Sequence, residues 1–585
     1  MARDLRENPG QWAAYESTGH CVVSAGPGSG KTKTLTLKLA RILAEDVAPP
    51  RGVACITYNN ECAKELETRL DQLGIEPGGR VFIGTVHSFS LTQIILPYAK
   101  TGKLGLPDEF RVATQQEQRT SLEDAFYEVI GGSENPQNWN LRMSNYRRSI
   151  LNRDVPEWLE RDPQLAQLVE AYEARLRSRG VIDFDDMPLL AVRAFRENEW
   201  LQRAILAKYP VLVVDEYQDL GSALHRMVMG LCFSAGIRLF AVGDVDQSIY
   251  GFTGADPSLL QQLSERDDVE VVRLRLNYRS GSRIVTASSY ALGETRDYEA
   301  SADANQGSIF FHPLQDTLVQ QADHLFSTLL PEVQARMPGL QMGDVAILYP
   351  TAAIGDTVNQ AAREHGYETI RTDGNAIYPR SSRLMRWLEL CAIWCCGGWR
   401  SGDPRFHRIA SEGRRLFSEA MTSDEKRLAF QRELMRVLWS RRDQALDVYL
   451  WLIGLRSELL DARSVDCRTL NDEFAILSAF VERVGPGGNL SGMALSQSSG
   501  EGLSANRINL STLHSAKGRE FRVVVLFAMD QGRIPWNNVG PRQVLESRRL
   551  FYVGFTRAKA EIHMIYSANS PSAFVTEVQN RLAEI

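Results

Sequence analysis

Short apolar runs, too brief for helices, punctuate the chain and predict buried strands. The first is His20 to Val23, followed by Val211 to Val214 and Leu239 to Val242. A second series begins beyond residue 276, with DVAILYP (344–350), RINLSTLH (507–514), VVVLFAM (523–529) and AEIHMIYSA (560–568). Within each series the pattern changes to the 3.6-residue repeat of amphipathic helices. TSLEDAFYEVIGG and PEWLERDPQLAQLVEAYEARLRSRG predict a mostly helical insert over about 91–190. RLMRWLELCAIW, EKRLAFQRELMRVLWSRRDQALDVYLWLIGLRSELL and LNDEFAILSAFVERVG predict a second over about 381–504. The Gly/Ser-rich stretch 485–505 reads as a flexible strap returning to the second set of strands. The pattern therefore implies two α/β cores with mainly parallel sheets, each interrupted by a helical insert.

Composition narrows this little but excludes much. A chain of 585 residues holds about four domains, which rules out a small binding module. With 44% hydrophobic and 24% charged residues, bulk disorder and fibrous folds are out. A net charge of −6 means that any nucleic-acid contact must be local. Eight cysteines lack the density and spacing of a disulfide framework, which points to a reducing compartment. Cys391, Cys395 and Cys396 sit in an apolar helical stretch without His or Asp nearby and read as packing rather than metal ligands. The first ten residues have no apolar h-region, and no run of about 18 apolar residues occurs, so a soluble, cytoplasmic protein is expected.

Candidate chemistry follows the first run. The loop Ala25-Gly26-Pro27-Gly28-Ser29-Gly30 leads through Lys31 and Thr32 into the helical stretch LTLKLARILAE, the context that a phosphate loop requires. Glycines let backbone N–H groups converge on phosphate, Lys31 reaches the β and γ phosphates, and Thr32 ligates Mg²⁺. Ala25 stands where the pattern usually begins with Gly. Val211 to Val214 ends in Asp215-Glu216-Tyr217-Gln218-Asp219, two adjacent carboxylates at the carboxyl end of a buried strand. Asp215 suits Mg²⁺ and Glu216 the attacking water. GDVDQSIYGFTGA (243–255) offers Gln247 as a γ-phosphate sensor and Tyr250 and Phe252 as stacking faces, or else a turn with core aromatics. Arg142, Arg147, Arg148 and Arg153, with Tyr146 interleaved, form either a phosphate-tracking edge or a solvated helix face.

Taken together these blocks resemble superfamily 1 helicases of the UvrD/Rep/PcrA type, in the family's motif order over nearly the whole chain. NPGQ (8–11), AGPGSGKT, ITYNNECAKEL (56–66), GTVHSF (84–89) and DFDDM (183–187) are followed by VVDEYQD, VGDVDQSIYGFTGA, LNYRS (276–280), STLHSAKGREF (511–521) and ESRRLFYVGFTRAKA (546–560). The resemblance implies two RecA-like cores, the first at 1–90 and 190–275 and the second at 276–380 and 505–585, with helical inserts at 91–189 and 381–504. It implies that Gln11 binds the adenine edge, Tyr278 stacks on adenine and Glu520 touches the ribose. The loop residues Ala25, Gly26, Gly28, Ser29, Gly30, Lys31 and Thr32, with Lys33 after them, cradle ATP, and Thr32 and Asp215 hold Mg²⁺. Arg279 and Arg557 act as arginine fingers beside Lys31, Glu216 and Gln247. Grips on single-stranded DNA fall to Tyr58, Thr85 and His87, to Tyr250 and Phe252, and to Thr512 and His514.

The chain departs from the family's usual pattern at several positions. Lys33 replaces an Arg, Phe252-Thr253 replaces a Trp-Arg or similar pair, Glu61 stands for Lys and Arg519 for Leu, and the second insert is short. With the last motif so close to Ile585, no nuclease domain is expected to follow. The resemblance implies an ATP-dependent 3′–5′ DNA helicase and single-stranded-DNA translocase acting at single-strand/duplex junctions, with a nuclease or repair protein as a second class of partner. The alternative is a nucleotide-gated DNA-binding subunit of a nuclease, defence or repair complex with little unwinding of its own. An RNA helicase is weaker, since nothing readable selects a 2′-OH.

Overall fold

The apolar runs form strands in the computed structural model, which describes residues 2–57, 60–75, 80–315, 317–379, 382–467, 470–488, 490–498 and 506–584. In chain order these are β1 (His20–Ala25), β2 (Val53–Thr57), β3 (Val81–Thr85), β4 (Arg111–Val112), β5 (Val181–Ile182), β6 (Val211–Val214), β7 (Arg238–Gly243), β8 (Val269–Leu274), β9 (Leu276–Asn277) and β10 (Glu299–Ala300). The later strands are β11 (Ser308–Leu314), β12 (Val345–Tyr349), β13 (Thr369–Arg371), β14 (Ile508–Thr512), β15 (Phe521–Leu526) and β16 (Ala558–Ser567). Two sheets have six strands each, as expected of two P-loop cores. No described helix is long and apolar enough to cross a membrane.

The chain divides into two compact units, one of 1–312 with 516–522 and 529–585, the other of 313–515 with 523–528. In the first unit the sheet order is β3-β2-β6-β7-β1-β8. Its pairs are parallel, with Val22 beside Ala241 and Val271, and Val213 beside Phe240. Residues on β1, β2 and β6 are buried because parallel neighbours and helices cover them on every side. The edge strand β8 instead exposes Glu270, Val271 and Arg273, and its two charged residues break the apolar run.

Residues 113–181 pack a core of their own around Phe126, Trp158, Leu168 and Tyr172. Its helices start where their sequences supply caps. Thr114 and Glu117 form a capping box for Gln115–Val129, and Asp162 with Pro163 opens Pro163–Ser178. Each large apolar side chain buried here contributes about 1.5–3 kcal/mol.

In the second unit β15, β12, β14 and β13 follow one another in parallel, with Ile347 between Leu510 and Val525. Helices Arg383–Ile393, Phe406–Leu416, Asp424–Trp439, Val448–Leu455 and Asn471–Val484 bury an apolar core that includes Cys391, Cys395 and Trp451. Of the Gly/Ser-rich strap, residues 489 and 499–505 lie outside the described residues.

Candidate nucleotide site

The loop after β1 is shaped by glycines that nothing else could replace. Gly28 and Gly30 have φ of 69° and 81°, in the left-handed region that disfavours side chains. A Cβ on Gly26 would lie 2.4 Å from the Tyr298 ring, on Gly28 2.7 Å from Asn277, and on Gly30 2.4 Å from the Gln11 amide. The loop carbonyls are tied from outside. Gln11 Nε2 donates to Ser29 O at 2.9 Å, Asn277 Nδ2 to Pro27 O at 2.8 Å, and the Tyr278 amide to Gly28 O at 2.9 Å. The helix Lys31–Arg41 that follows has no side-chain cap, so its first N–H groups and its dipole face an open end.

Among the described residues Lys31 Nζ is buried without a hydrogen-bond partner, and its nearest carboxylate is Asp244 at 3.7 Å. An orphaned ammonium beside an uncapped helix start fits the phosphates of a nucleotide. Asp215, buried, and Glu216, half-buried, follow β6 as an adjacent acidic pair, with Glu216 at a φ of 53° that is rare for its type. Burial and the Glu216 charge raise the Asp215 carboxyl, with Lys31 opposing them. Glu216 is also pushed up by burial, but Lys31 and Lys517 hold it ionised. Two adjacent carboxylates with Lys31 and Lys517 near them, together with the Thr32 hydroxyl, make a donor set that suits a divalent cation such as Mg²⁺.

Gln247 is pinned by its neighbours. Its Nε2 donates to Asp244, and its Oε1 accepts from Arg557 Nη2 at 2.9 Å. Arg557 is 2% exposed, makes no salt bridge among the described residues, and is lowered to about 9 by burial and by Arg279. A buried guanidinium without a carboxylate also fits an anionic ligand. Arg279 donates to Glu520 at 2.7 Å, and Glu520 also meets Lys559 at 2.7 Å. Tyr278 is half-exposed, and its hydroxyl accepts from Asn8 Nδ2 at 3.0 Å. Lys33 points away to Asp4 at 3.9 Å, both groups well exposed.

Several participants have no prior place in the motif reading. Lys517 donates to Asp219 at 2.5 Å and to the Gln247 carbonyl at 2.7 Å, and it lies 5.2 Å from the Tyr250 ring centre. A lone lysine in one motif and a spare acid in another was the available signal. Asn277, Arg296 and Tyr298 were silent in the sequence because the site residues they touch are distant along the chain, and so was the approach of Asp244 to Lys31.

Thr85 caps the turn after β3, accepting from the Ser88 amide at 3.2 Å, and His87 stands edge-on to Phe184 at 5.9 Å. In the second unit Thr512 repeats this cap on Ser515 at 3.2 Å, and burial lowers His514 as it does His87. Thr57, His87, Arg148, Asp219 and Thr253 line a cleft of about 200 Å³ in the first unit. Tyr58 and the Phe252 side chain lie outside the described residues.

The arginine run is mixed: Arg142 is exposed, Arg148 and Arg153 are partly exposed, and Arg147 is not. Arg147 is wholly buried against Glu173, Asp183 and Asp186, and Arg153 binds Glu173, so the acids of DFDDM neutralise the insert's own arginines. Arg148 bonds Asp185 at 2.8 Å and the Thr253 carbonyl at 3.0 Å. A guanidinium is thus present beside Thr253 although the family's usual arginine in that loop is missing.

Two family models match the chain, the UvrD/REP helicase N-terminal domain over residues 7–268 and the UvrD-like helicase C-terminal domain over 461–569. Among curated relatives, the ATP-dependent DNA helicase Rep of Escherichia coli K12 is 26% identical, over 95% of this chain and 90% of its own. The putative ATP-dependent DNA helicase YjcD of Bacillus subtilis is 24% identical over 95% and 78%. The ATP-dependent DNA helicase PcrA of Staphylococcus aureus MRSA252 is 23% identical over 99% and 87%. The glycine loop, the acidic pair and Gln247 fall in the first matched region, and Glu520 and Arg557 in the second, so the chain belongs to the UvrD/Rep/PcrA-like family of superfamily 1 helicases.

Proposed function

We propose that this protein is a DNA-dependent ATPase that moves 3′ to 5′ along single-stranded DNA and separates duplex ahead of it. One observation carries the reading: the ammonium of Lys31 and the guanidinium of Arg557 are both buried around an uncapped helix start, and among the described residues the first has no hydrogen-bond partner and the second no carboxylate. The adenine would meet Gln11 and Tyr278, and the ribose Glu520. The loop from Ala25 to Thr32 would wrap the phosphates, with Lys33 on its outer side. Thr32 and Asp215 would hold Mg²⁺, which when bound neutralises phosphate charge. Glu216, kept ionised, accepts a proton from water as the new O–P bond forms and the bond between the β and γ phosphates breaks. Gln247 orients the γ-phosphoryl group, and Arg279 and Arg557 stabilise the charge that develops on it. Loss of the γ-phosphate releases Arg557 and Gln247, and this change is passed to DNA held at Tyr58, Thr85, His87, Tyr250, Phe252, Thr512 and His514.

The test pairs ATP turnover with strand displacement on partial duplexes bearing a 3′ or a 5′ single-stranded tail. DNA should stimulate turnover, Lys31→Ala should abolish it, and only the 3′-tailed duplex should open. Equal turnover in the wild type and Lys31→Ala would refute the motor, and opening from the 5′ tail alone would refute the polarity. Turnover without displacement from either tail would favour a DNA-gripping subunit that works beside a nuclease or repair partner.

A further inference from the structure

The segment Glu294–Ala300 belongs to none of the nucleotide-site motifs, yet it touches both halves of that site. It is anchored by β10, which pairs in parallel with β9, Ala300 lying beside Asn277. Two side chains leave this anchor. Arg296 grips Asp246 with two bonds of 2.7 Å, and its second partner is Glu294 at 2.6 Å. Asp246 is 3% exposed and immediately precedes Gln247, so a fork-to-fork ion pair holds the backbone from which the sensor projects. Tyr298 lies against Gly26 so closely that any Cβ there would sit within 2.4 Å of its ring. Burial and the charges of Asp244 and Asp246 push its hydroxyl up, so it is neutral and braces by shape.

We propose that Arg296 and Tyr298 are positioning residues that clasp the γ-phosphate sensor to the phosphate loop, setting the distance between them. The inference rests on the reading of this site as an ATPase centre. Its physical basis is a difference in reach. Asp246 adjoins Gln247, which concerns the γ-phosphate, and reaches Lys31 only indirectly through Asp244, whereas Gly26 belongs to the loop that holds every nucleotide. The two residues should therefore fail in different ways.

The intact chain is titrated with ADP and with a non-hydrolysable ATP analogue, and its ATP turnover is followed in parallel. Arg296→Leu should weaken the analogue about ten-fold, roughly the worth of one hydrogen bond to a charged group, and leave ADP unchanged. Its turnover should fall by at least as much. Arg296→Lys, which keeps the charge but not the fork, should recover part of both losses. Tyr298→Ala should weaken ADP and analogue alike. Wild-type analogue affinity and turnover in Arg296→Leu would overturn the clasp, and so would parallel loss of ADP and analogue in that variant. If the wild-type chain binds the analogue more tightly than ADP through Arg296 but never turns over ATP, the clasp stands and the motor reading falls.

Discussion

Lys517 and Asp219 form a buried ion pair whose removal should leave a signature in pH. Their side chains are 9% and 0% exposed, and among the described residues Asp219 Oδ1 has no hydrogen-bond partner. Burial pushes the Asp219 carboxyl up to about 7 even though Lys517 opposes it. Removing one member of a buried pair costs about 3–5 kcal/mol when the other must stay charged. In Lys517→Met the abandoned carboxyl can take up a proton instead, and its pKa rises further. A group whose folded pKa is raised contributes stability that is full below its unfolded value, near 4, and is lost as pH rises through the folded value. In the wild type that loss levels off about one pH unit above the folded value of about 7. In Lys517→Met it continues above pH 7 by about 1.4 kcal/mol for each pH unit. The variant should therefore melt below the wild type by a margin that widens from about pH 6.5 to about pH 8.5 by some 2–4 °C. Thermal unfolding of the wild type, Lys517→Met, Asp219→Asn and the double variant at both pH values checks this. At the higher pH the double variant should be more stable than Lys517→Met, because the orphaned charge has gone. A pH-independent margin, or strictly additive effects, would refute the reasoning.

Other predictions follow from equally local features. Gly30→Ala places a Cβ against the Gln11 amide and a side chain at a left-handed φ, so nucleotide affinity measured by titration should fall, with a backbone cost of about 1–2 kcal/mol as one part of the loss. Arg147→Met leaves Glu173, Asp183 and Asp186 with one cation fewer inside the first insert. The cost should be about 3 kcal/mol or more, seen as earlier cleavage within 113–181 in limited proteolysis. Arg557→Ala should cut ATP turnover by roughly 10³-fold, with ADP affinity measured by titration almost unchanged.

The buried strands were legible because parallel strands covered on both faces are apolar at nearly every position, and β6 spans the Val211–Val214 run residue for residue. The glycine loop, the acidic pair and Gln247 were legible because phosphate chemistry demands those residue types at short, fixed spacing. β2, β3 and β8 escaped notice as strands, the last because two charged residues break its apolar run at the sheet edge. The arginine run was ambiguous because charge along a sequence does not say which acids fold against it, and DFDDM lies on the far side of a helix from it. Partnership across long intervals of chain is decided only by the closure of the tertiary fold. That closure sets Tyr298 on Gly26, Arg296 on Asp246 and Lys517 on Asp219. Short-range chemistry is written in local sequence, whereas the contacts that aim it depend on strand order, which no local pattern encodes.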